Sequence, residues 1–231
     1  MSGKSENLSL CTLYYGLCAF VKRCYRYEYG VVCDYDTAFV LFQKSAEQDY
    51  PAAQSMLGDM YYFGFGTNKD YATAVGWFEK AAEHNDVYGQ FSLGICYAFG
   101  EGVEQNDEKA VYWYLKAAEN GHVESQRRLG IRYIKGEGTA TDYEQAVFWL
   151  NSAAKQNDPY AQYWLGRCYL YGEGVSLDYE IAVSWLNSAA EQNVALAQQL
   201  LGQCYENGWG VEQDAKKAEE YYALYAVNES A

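Results

Sequence analysis

NDPYAQYWLGRCYLYGEGVSLDYEIAVSWLNSAAEQN, residues 157–193, decides the fold, because the other segments of the chain repeat it in the same phase. Its anchors are Leu165-Gly166, Tyr169, the Gly172-Glu173-Gly174 turn, Asp178, Ala182, Trp185 and Ala189-Ala190. The Leu-Gly pair recurs at 57, 93, 129, 165 and 201, a step of 36 with no insertion or deletion. The tyrosine recurs at 25, 61, 97, 133, 169 and 205, so a degenerate first unit, in which Val21-Lys22 replaces Leu-Gly, precedes five clear ones. The second turn glycine stands at 30, 66, 102, 138, 174 and 210, and an alanine follows eight residues later each time. Trp77, Trp113, Trp149 and Trp185 share one slot, which Leu41 and Tyr221 fill at the two ends. A period of this length marks a solenoid, whose units bury their apolar faces only against their neighbours.

Each unit splits into two helical segments. Ala161, Leu165, Cys168 and Tyr169 fall at helical spacing and make one apolar stripe. Pro159, like Pro51, suits the first turn of a helix, where its missing N–H is not needed. The Gly-x-Gly turn then supplies positive-φ residues after the first helix. Asp178 is placed to cap the second helix, as are Asp34, Asp70, Asp142 and Asp214 in the same slot and Asn106 in the remaining unit. Ala182, Trp185, Leu186 and Ala189 form the second apolar stripe; small residues at 166 and 182 let the helices approach, and the tryptophan fills the space between units. The terminal segment AKKAEEYYALYAV carries more charge than its equivalents, as a cap exposed on one side should.

The same phase fixes the domain organisation. Residues 1–7 read as a polar tail, 8–228 as a single all-helical repeat array and 229–231 as a second tail. The apolar run Leu8 to Val21 has the length of a leader, but Glu6 spoils its positive flank, no small-x-small site follows, and the run is in phase with the first helix of later units. It is also too short to span a bilayer. Net charge is −14, which disfavours nucleic acid and anionic lipid and favours encounter with a basic partner. The seven cysteines are an odd number, and Cys24, Cys96, Cys168 and Cys204 occupy one slot. Equivalent positions in stacked repeats lie about one helix diameter apart, ~10 Å, beyond the reach of a disulfide. They read as small buried hydrophobes in a reducing, cytoplasmic compartment.

The anchors A-x-x-x-L-G-x-x-Y-x-x-G-x-G-V-x-x-D-x-x-x-A-x-x-W-x-x-x-A-A resemble the Sel-one-like repeat of the tetratricopeptide superfamily over about residues 13–228. The resemblance implies an all-α fold, an α/α right-handed superhelical solenoid of about six repeats whose first helices line a concave groove. It also implies a role in assembling protein complexes. Secreted relatives carry a disulfide in every unit between cysteines eight residues apart; the corresponding pairs here are Ala82/Gln90, Ala118/Gln126, Ala154/Gln162 and Ala190/Gln198.

Catalytic patterns are weak. Ser152-Ala153-Ala154-Lys155 fits the Ser-x-x-Lys of penicillin-interacting enzymes, but it lies on a repeated helix and its partner motifs are missing, so a weak β-lactam hydrolase is only a competing class. Cys11, Cys18, Cys24 and Cys33 crowd the first unit without the paired spacing of a zinc site, and neither His84 nor His122 is close in sequence. Both histidines read as residues at the ends of second helices or in the following turn, favoured there by the dipole. No catalytic residue, cofactor or metal is expected. First-helix positions outside the packing anchors are expected to face the groove, and there the chain has Tyr62, Phe63, Tyr88, Phe91, Phe99, Tyr160, Tyr163 and Tyr171, with Arg127, Lys135 and Arg167 among them. Tyrosine gives large contact area with a polar tip at small entropic cost. These residues predict a non-enzymatic, monomeric scaffold that holds a protein or peptide in its groove. The acidic charge also admits a bacterial immunity protein that blocks a cationic toxin.

Overall fold

A computed structural model describes residues 35–229. The sequence motifs of residues 1–34, including Tyr25, Gly30, Asp34, the run 8–21 and Cys11, Cys18, Cys24 and Cys33, lie outside the described residues. Eleven α-helices and no strand occur among the described residues: α1 Tyr35–Ala46, α2 Pro51–Phe63, α3 Tyr71–Glu83, α4 Val87–Phe99, α5 Asp107–Glu119, α6 Val123–Lys135, α7 Tyr143–Ala154, α8 Pro159–Tyr171, α9 Tyr179–Glu191, α10 Ala195–Asn207 and α11 Ala215–Glu229. The chain divides into two compact units, one ending at Trp113 and the other beginning at Tyr114. In the first, α2 packs on α3 and α3 on α4. In the second the same alternation runs through α6, α7, α8, α9, α10 and α11. The even-numbered helices from α2 to α10 are the first helices of their repeats.

The recurrent anchors are the core. Leu57, Leu93, Leu129, Leu165 and Leu201 and the alanines 74, 110, 146 and 182 are at most 1% exposed. A methyl at Gly166 would meet the side chain of Leu186 at 2.9 Å and the carbonyl of Ala182 at 3.1 Å, so the Leu-Gly pair is what lets a first helix lie against its second helix. The two turn glycines do different work. Gly172 ends α8 in the left-handed region at φ +70°, its N–H donating to the Cys168 carbonyl. Gly174, at φ +73°, lies so close to the carbonyl of Tyr143 that no Cβ fits. Its loop is thereby seated on the start of the preceding second helix.

Asp70, Asp142 and Asp178 cap the second helices by accepting from the backbone N–H three residues on. Asn106 Oδ1 accepts from the Lys109 N–H, and Asp214 Oδ1 from those of Lys216 and Lys217. A second capping series was not visible beforehand. Asp86 and Asp158 cap the first helices α4 and α8, and His122 caps α6 through Nδ1. His122 does lie in the turn after a second helix, but the turn is short enough that its side chain caps the next helix rather than facing the C-terminal end of the last one. His84 does close α3, with Nδ1 3.0 Å from the Lys80 carbonyl.

The tryptophans are partly rather than fully buried. Trp77 packs against the cluster of Phe42 and Leu57, and Trp185 against that of Leu150 and Leu165, in each case a cluster that joins the preceding repeat's second helix to the tryptophan's own first helix. Cys96, Cys168 and Cys204 are free and buried, and burial pushes their thiols up to about 12, 12 and 11. They are poor nucleophiles.

The glutamine slot forms a ladder. Gln54, Gln90, Gln126, Gln162 and Gln198 are at most 6% exposed. Nε2 of Gln126 donates to the carbonyl of Ala118 at 3.1 Å, and Nε2 of Gln162 and Gln198 to those of Ala154 and Ala190 at 3.4 Å. The residue eight positions earlier is thus joined by a hydrogen bond where the secreted relatives are expected to have a disulfide. The side-chain oxygens are met from 30 residues on, by Gln156, Gln192 and Asn228, each at 2.9 Å.

Candidate interaction face

Each first helix buries one side and leaves one open. In α4 the open stripe is Tyr88, Phe91, Ser92, Ile95 and Phe99, which fall within one arc at 100° per residue, while Leu93, Gly94, Cys96 and Ala98 are buried behind it. The same slots hold Ala52, Met56, Asp59 and Phe63 in α2, and Glu124, Arg127, Arg128, Ile131 and Lys135 in α6. In α8 they hold Tyr160, Trp164, Arg167 and Tyr171, and in α10 Leu196, Gln199, Gln203 and Asn207. First helices also touch one another, α2 against α4 in the first unit and α6 against α8 in the second. The stripes therefore lie side by side within each unit.

In the first unit the stripe is aromatic with a carboxylate. Phe63, Tyr88 and Phe99 are 48%, 51% and 63% exposed, and Phe91 is half-buried. Tyr62 does not share the stripe. Its ring packs against Tyr71 and Phe78, and its hydroxyl donates to Glu101, so it holds consecutive repeats together. Burial and that carboxylate raise the pKa of its hydroxyl.

In the second unit the stripe is cationic and aromatic, and its cations are already held. Arg127 Nη2 lies 3.4 Å from Glu124 Oε1 and its Nε 3.3 Å from Asp158 Oδ2, with the guanidinium 5.3 Å over the ring of Tyr160. The Nε–H is not aimed at Asp158, so that contact is Coulombic rather than a hydrogen bond. Arg128 forks onto Glu124 at 2.9 and 2.8 Å. Arg167 pairs bidentately with Glu173 at 2.9 and 3.3 Å and stacks over Trp164 and Tyr171. Lys135 Nζ is 3.7 Å from Glu137, both half exposed.

Of the residues expected to face a partner, Phe63, Tyr88, Phe99, Tyr160, Tyr171 and Lys135 are exposed, and Phe91, Arg127 and Arg167 are partly so. Tyr163 is the correction. It is 9% exposed and packs in the core with Leu170, Leu186 and Leu200, so the slot that leaves Phe91 and Arg127 partly open in other repeats is closed in α8 by the next first helix. Arg128, Trp164, Ile95 and Asp59 share the stripe and were not anticipated. The spacing of Tyr160, Trp164, Arg167 and Tyr171, at i, i+4, i+7 and i+11, was the signal that could have found Trp164.

Ser152 Oγ donates to the carbonyl of Phe148 at 3.0 Å, and Lys155 serves as the C-cap of α7. This is a helix-surface hydroxyl bonded to its own backbone rather than to a base. Among the described residues no cluster of ligating side chains could hold a metal ion, and no helix is long and apolar enough to cross a membrane.

The model of the Sel1 repeat matches residues 13–50, 51–86, 87–122, 123–158, 159–194 and 195–224. Among solved structures, a protective antigen present in uropathogenic Escherichia coli strains and displaying an SLR fold superposes with a TM-score of 0.81 at 36% identity over 86% of this chain, which spans 43% of that protein's length. A Sel1 repeat protein from Oxalobacter formigenes superposes with a TM-score of 0.79 at 35% identity, covering 84% of this chain and 80% of the other. An immunity protein from Pseudomonas aeruginosa, at 19% identity and a TM-score of 0.54 over 91% of this chain and 80% of its own, is alike in fold alone. A comparison with curated proteins finds no match.

Proposed function

The chain belongs to the Sel1 repeat family, whose members generally mediate protein–protein interaction, and from that premise we propose that it is a non-enzymatic scaffold gripping a protein or peptide segment on the open stripes of its first helices. The observation that carries this reading is the recurrence of large exposed aromatics at the two ends of that stripe. Tyr88 and Tyr160 hold one end slot, and Phe63, Phe99 and Tyr171 the other, all at least 48% exposed. Exposed rings in repeated register are costly to leave in water and supply anchors for a partner.

Capture of a partner from the native host, followed by surface plasmon resonance on the purified pair, tests the reading. Tyr160→Ala and Phe99→Ala are expected to speed dissociation, together by ~10-fold or more, and to leave melting unchanged, since both side chains are largely in solvent. Parent-like dissociation in both variants would place the partner elsewhere.

Neutralisation of a cationic toxin is a second reading, and the net charge of −14 is the observation in its favour. Protection of cells from a co-expressed basic toxin separates it from the adaptor reading.

A further inference from the structure

We propose that the open stripe of α10 takes an extended, uncharged segment of a partner protein by its backbone, through the row of side-chain amides Gln199, Gln203 and Asn207. This rests on the first-helix stripes being the binding face and adds the conformation and chemistry of what one of them holds.

The fold does not call for amides in these slots. Their equivalents in α8 are Tyr163, Arg167 and Tyr171, and in α6 Arg127, Ile131 and Lys135. Solvation alone does not call for them either. The next helix, α11, meets water with Lys216, Lys217, Glu219 and Glu220, whereas α10 has one charged residue, Glu206, whose carboxylate accepts from the Tyr222 hydroxyl at 2.7 Å.

Spacing selects the conformation of the ligand. Residues four apart on a helix rise about 6 Å, and residues two apart on an extended chain advance about 6.7 Å. The misfit accumulated over three amides is about 1.4 Å, which flexible glutamine side chains can absorb. Alternate residues of an extended chain present N–H and C=O together toward one side, and a primary amide offers the matching acceptor and donor. Gln199, Gln203 and Asn207 can therefore pair with residues n, n+2 and n+4 of such a segment. Both glutamines are half-buried, and neither amide is held by another side chain among the described residues. Asn207 is exposed and bonds its own helix through one N–H, to the Gln203 carbonyl at 2.8 Å, which leaves its second N–H and its oxygen.

Charge selects the composition. The α10 stripe offers neutral groups, Leu196 and the three amides, and the cation in the Gln203 slot of α8, Arg167, is already forked onto Glu173 at 2.9 and 3.3 Å. A charged side chain laid there would exchange water for neutral groups, at a cost. Uncharged ones can rest on Leu196 and on the exposed rings of Tyr160 and Tyr171 in the neighbouring stripe.

Fluorescence anisotropy of the whole chain with a labelled nine-residue peptide of serine, threonine, valine and tyrosine, its termini capped, tests the proposal. The peptide is expected to bind, and versions with aspartate or with lysine at alternate positions to bind at least ~5-fold more weakly. N-methylation of every second residue leaves one backbone edge free and should be tolerated in either register, whereas methylation of every residue removes both edges and should abolish binding. Gln199→Met with Gln203→Met keeps side-chain length and removes two amides; it should weaken binding ~10-fold, while Phe148→Ala, an exposed ring on a second helix, should leave it unchanged. Circular dichroism melting confirms that each variant is folded. Absence of binding, equal binding of the charged peptides, binding of the fully methylated peptide, parent-like binding by the double variant, or weakening by Phe148→Ala overturns the proposal. Should the peptide fail while a captured partner still dissociates faster from Tyr160→Ala, the backbone mode falls and the stripe stays the binding face. Should neither respond, both fall.

Discussion

His122 shows how one side chain can make a repeat position conditional on pH. In α4 and α8 the first-helix cap is Asp86 or Asp158, an anion that suits the positive end of a helix. In α6 the same position is an imidazole whose Nδ1 lies 3.3 Å from the Ser125 N–H and 2.9 Å from its hydroxyl. Nδ1 can accept only while it is unprotonated, and burial lowers the pKa of the ring below its ordinary value, with Glu124 opposing that shift and Arg128 adding to it. The folded form therefore binds the proton less readily than the unfolded form. Stability is fully present above the unfolded value of about 6.5 and is lost as pH falls from there toward the depressed folded pKa. His122→Asp should retain the cap and remove this slope. Chemical denaturation of both proteins between pH 7.5 and 5.5 is expected to show the variant gaining ~1 kcal/mol over the parent across that range. A constant difference would mean that the imidazole does not carry the cap.

At the scale of elements, the buried glutamine ladder joins the end of one second helix to the next first helix, and its completeness varies along the chain. Gln156 and Gln192 each donate both to a carbonyl of their own helix and to a ladder oxygen, that of Gln126 or Gln162. In the first unit the position 30 residues after Gln54 is His84, which bonds the Lys80 carbonyl, and Gln54 Oε1 has no hydrogen-bond partner among the described residues. A buried acceptor without a donor is costly, and a glutamine at 84 could satisfy both groups as its counterparts do. His84→Gln is accordingly expected to stabilise the protein by ~0.5–1.5 kcal/mol, measured by denaturant midpoint. Destabilisation would mean that α2 and α3 do not repeat the local geometry of α6 and α7.

Helix phase, turns, second-helix caps and core anchors were legible in the sequence because one residue in one slot does one job in every repeat. What was not legible depends on contacts between slots. Tyr160 and Tyr163 are the same residue three positions apart, yet 52% and 9% exposed, and only the neighbouring first helix decides which is covered. Arg127, likewise, reads as available until the cap of the next first helix, Asp158, comes within 3.3 Å of it.

For the molecule as a whole, two electrostatic contributions oppose each other as salt is added. The unit Met1–Trp113 has 15 acidic and 8 basic residues and the unit Tyr114–Ala231 has 16 and 9, so each carries −7 and the total is −14. Like charge distributed this evenly opposes the compact state everywhere, and screening relieves it. The ion pairs act the other way, since salt weakens them. Several are half exposed or more, such as Lys116 with Glu119 and Lys216 with Glu220, and exposed pairs contribute only ~0–1 kcal/mol. The better-shielded pairs of Arg127 and Arg167 are screened least. Relief of repulsion should therefore prevail. Raising sodium chloride from 10 to 150 mM is expected to raise Tm by ~2–4 °C, about 1 kcal/mol for a chain of this size. A scanning calorimeter at pH 8, with His122 neutral throughout, makes the measurement. A fall in Tm would assign more stability to the α6 and α8 ion pairs than exposed geometry allows, and would make those arginines, rather than the aromatic stripe, the part of the second unit that a partner disturbs on binding.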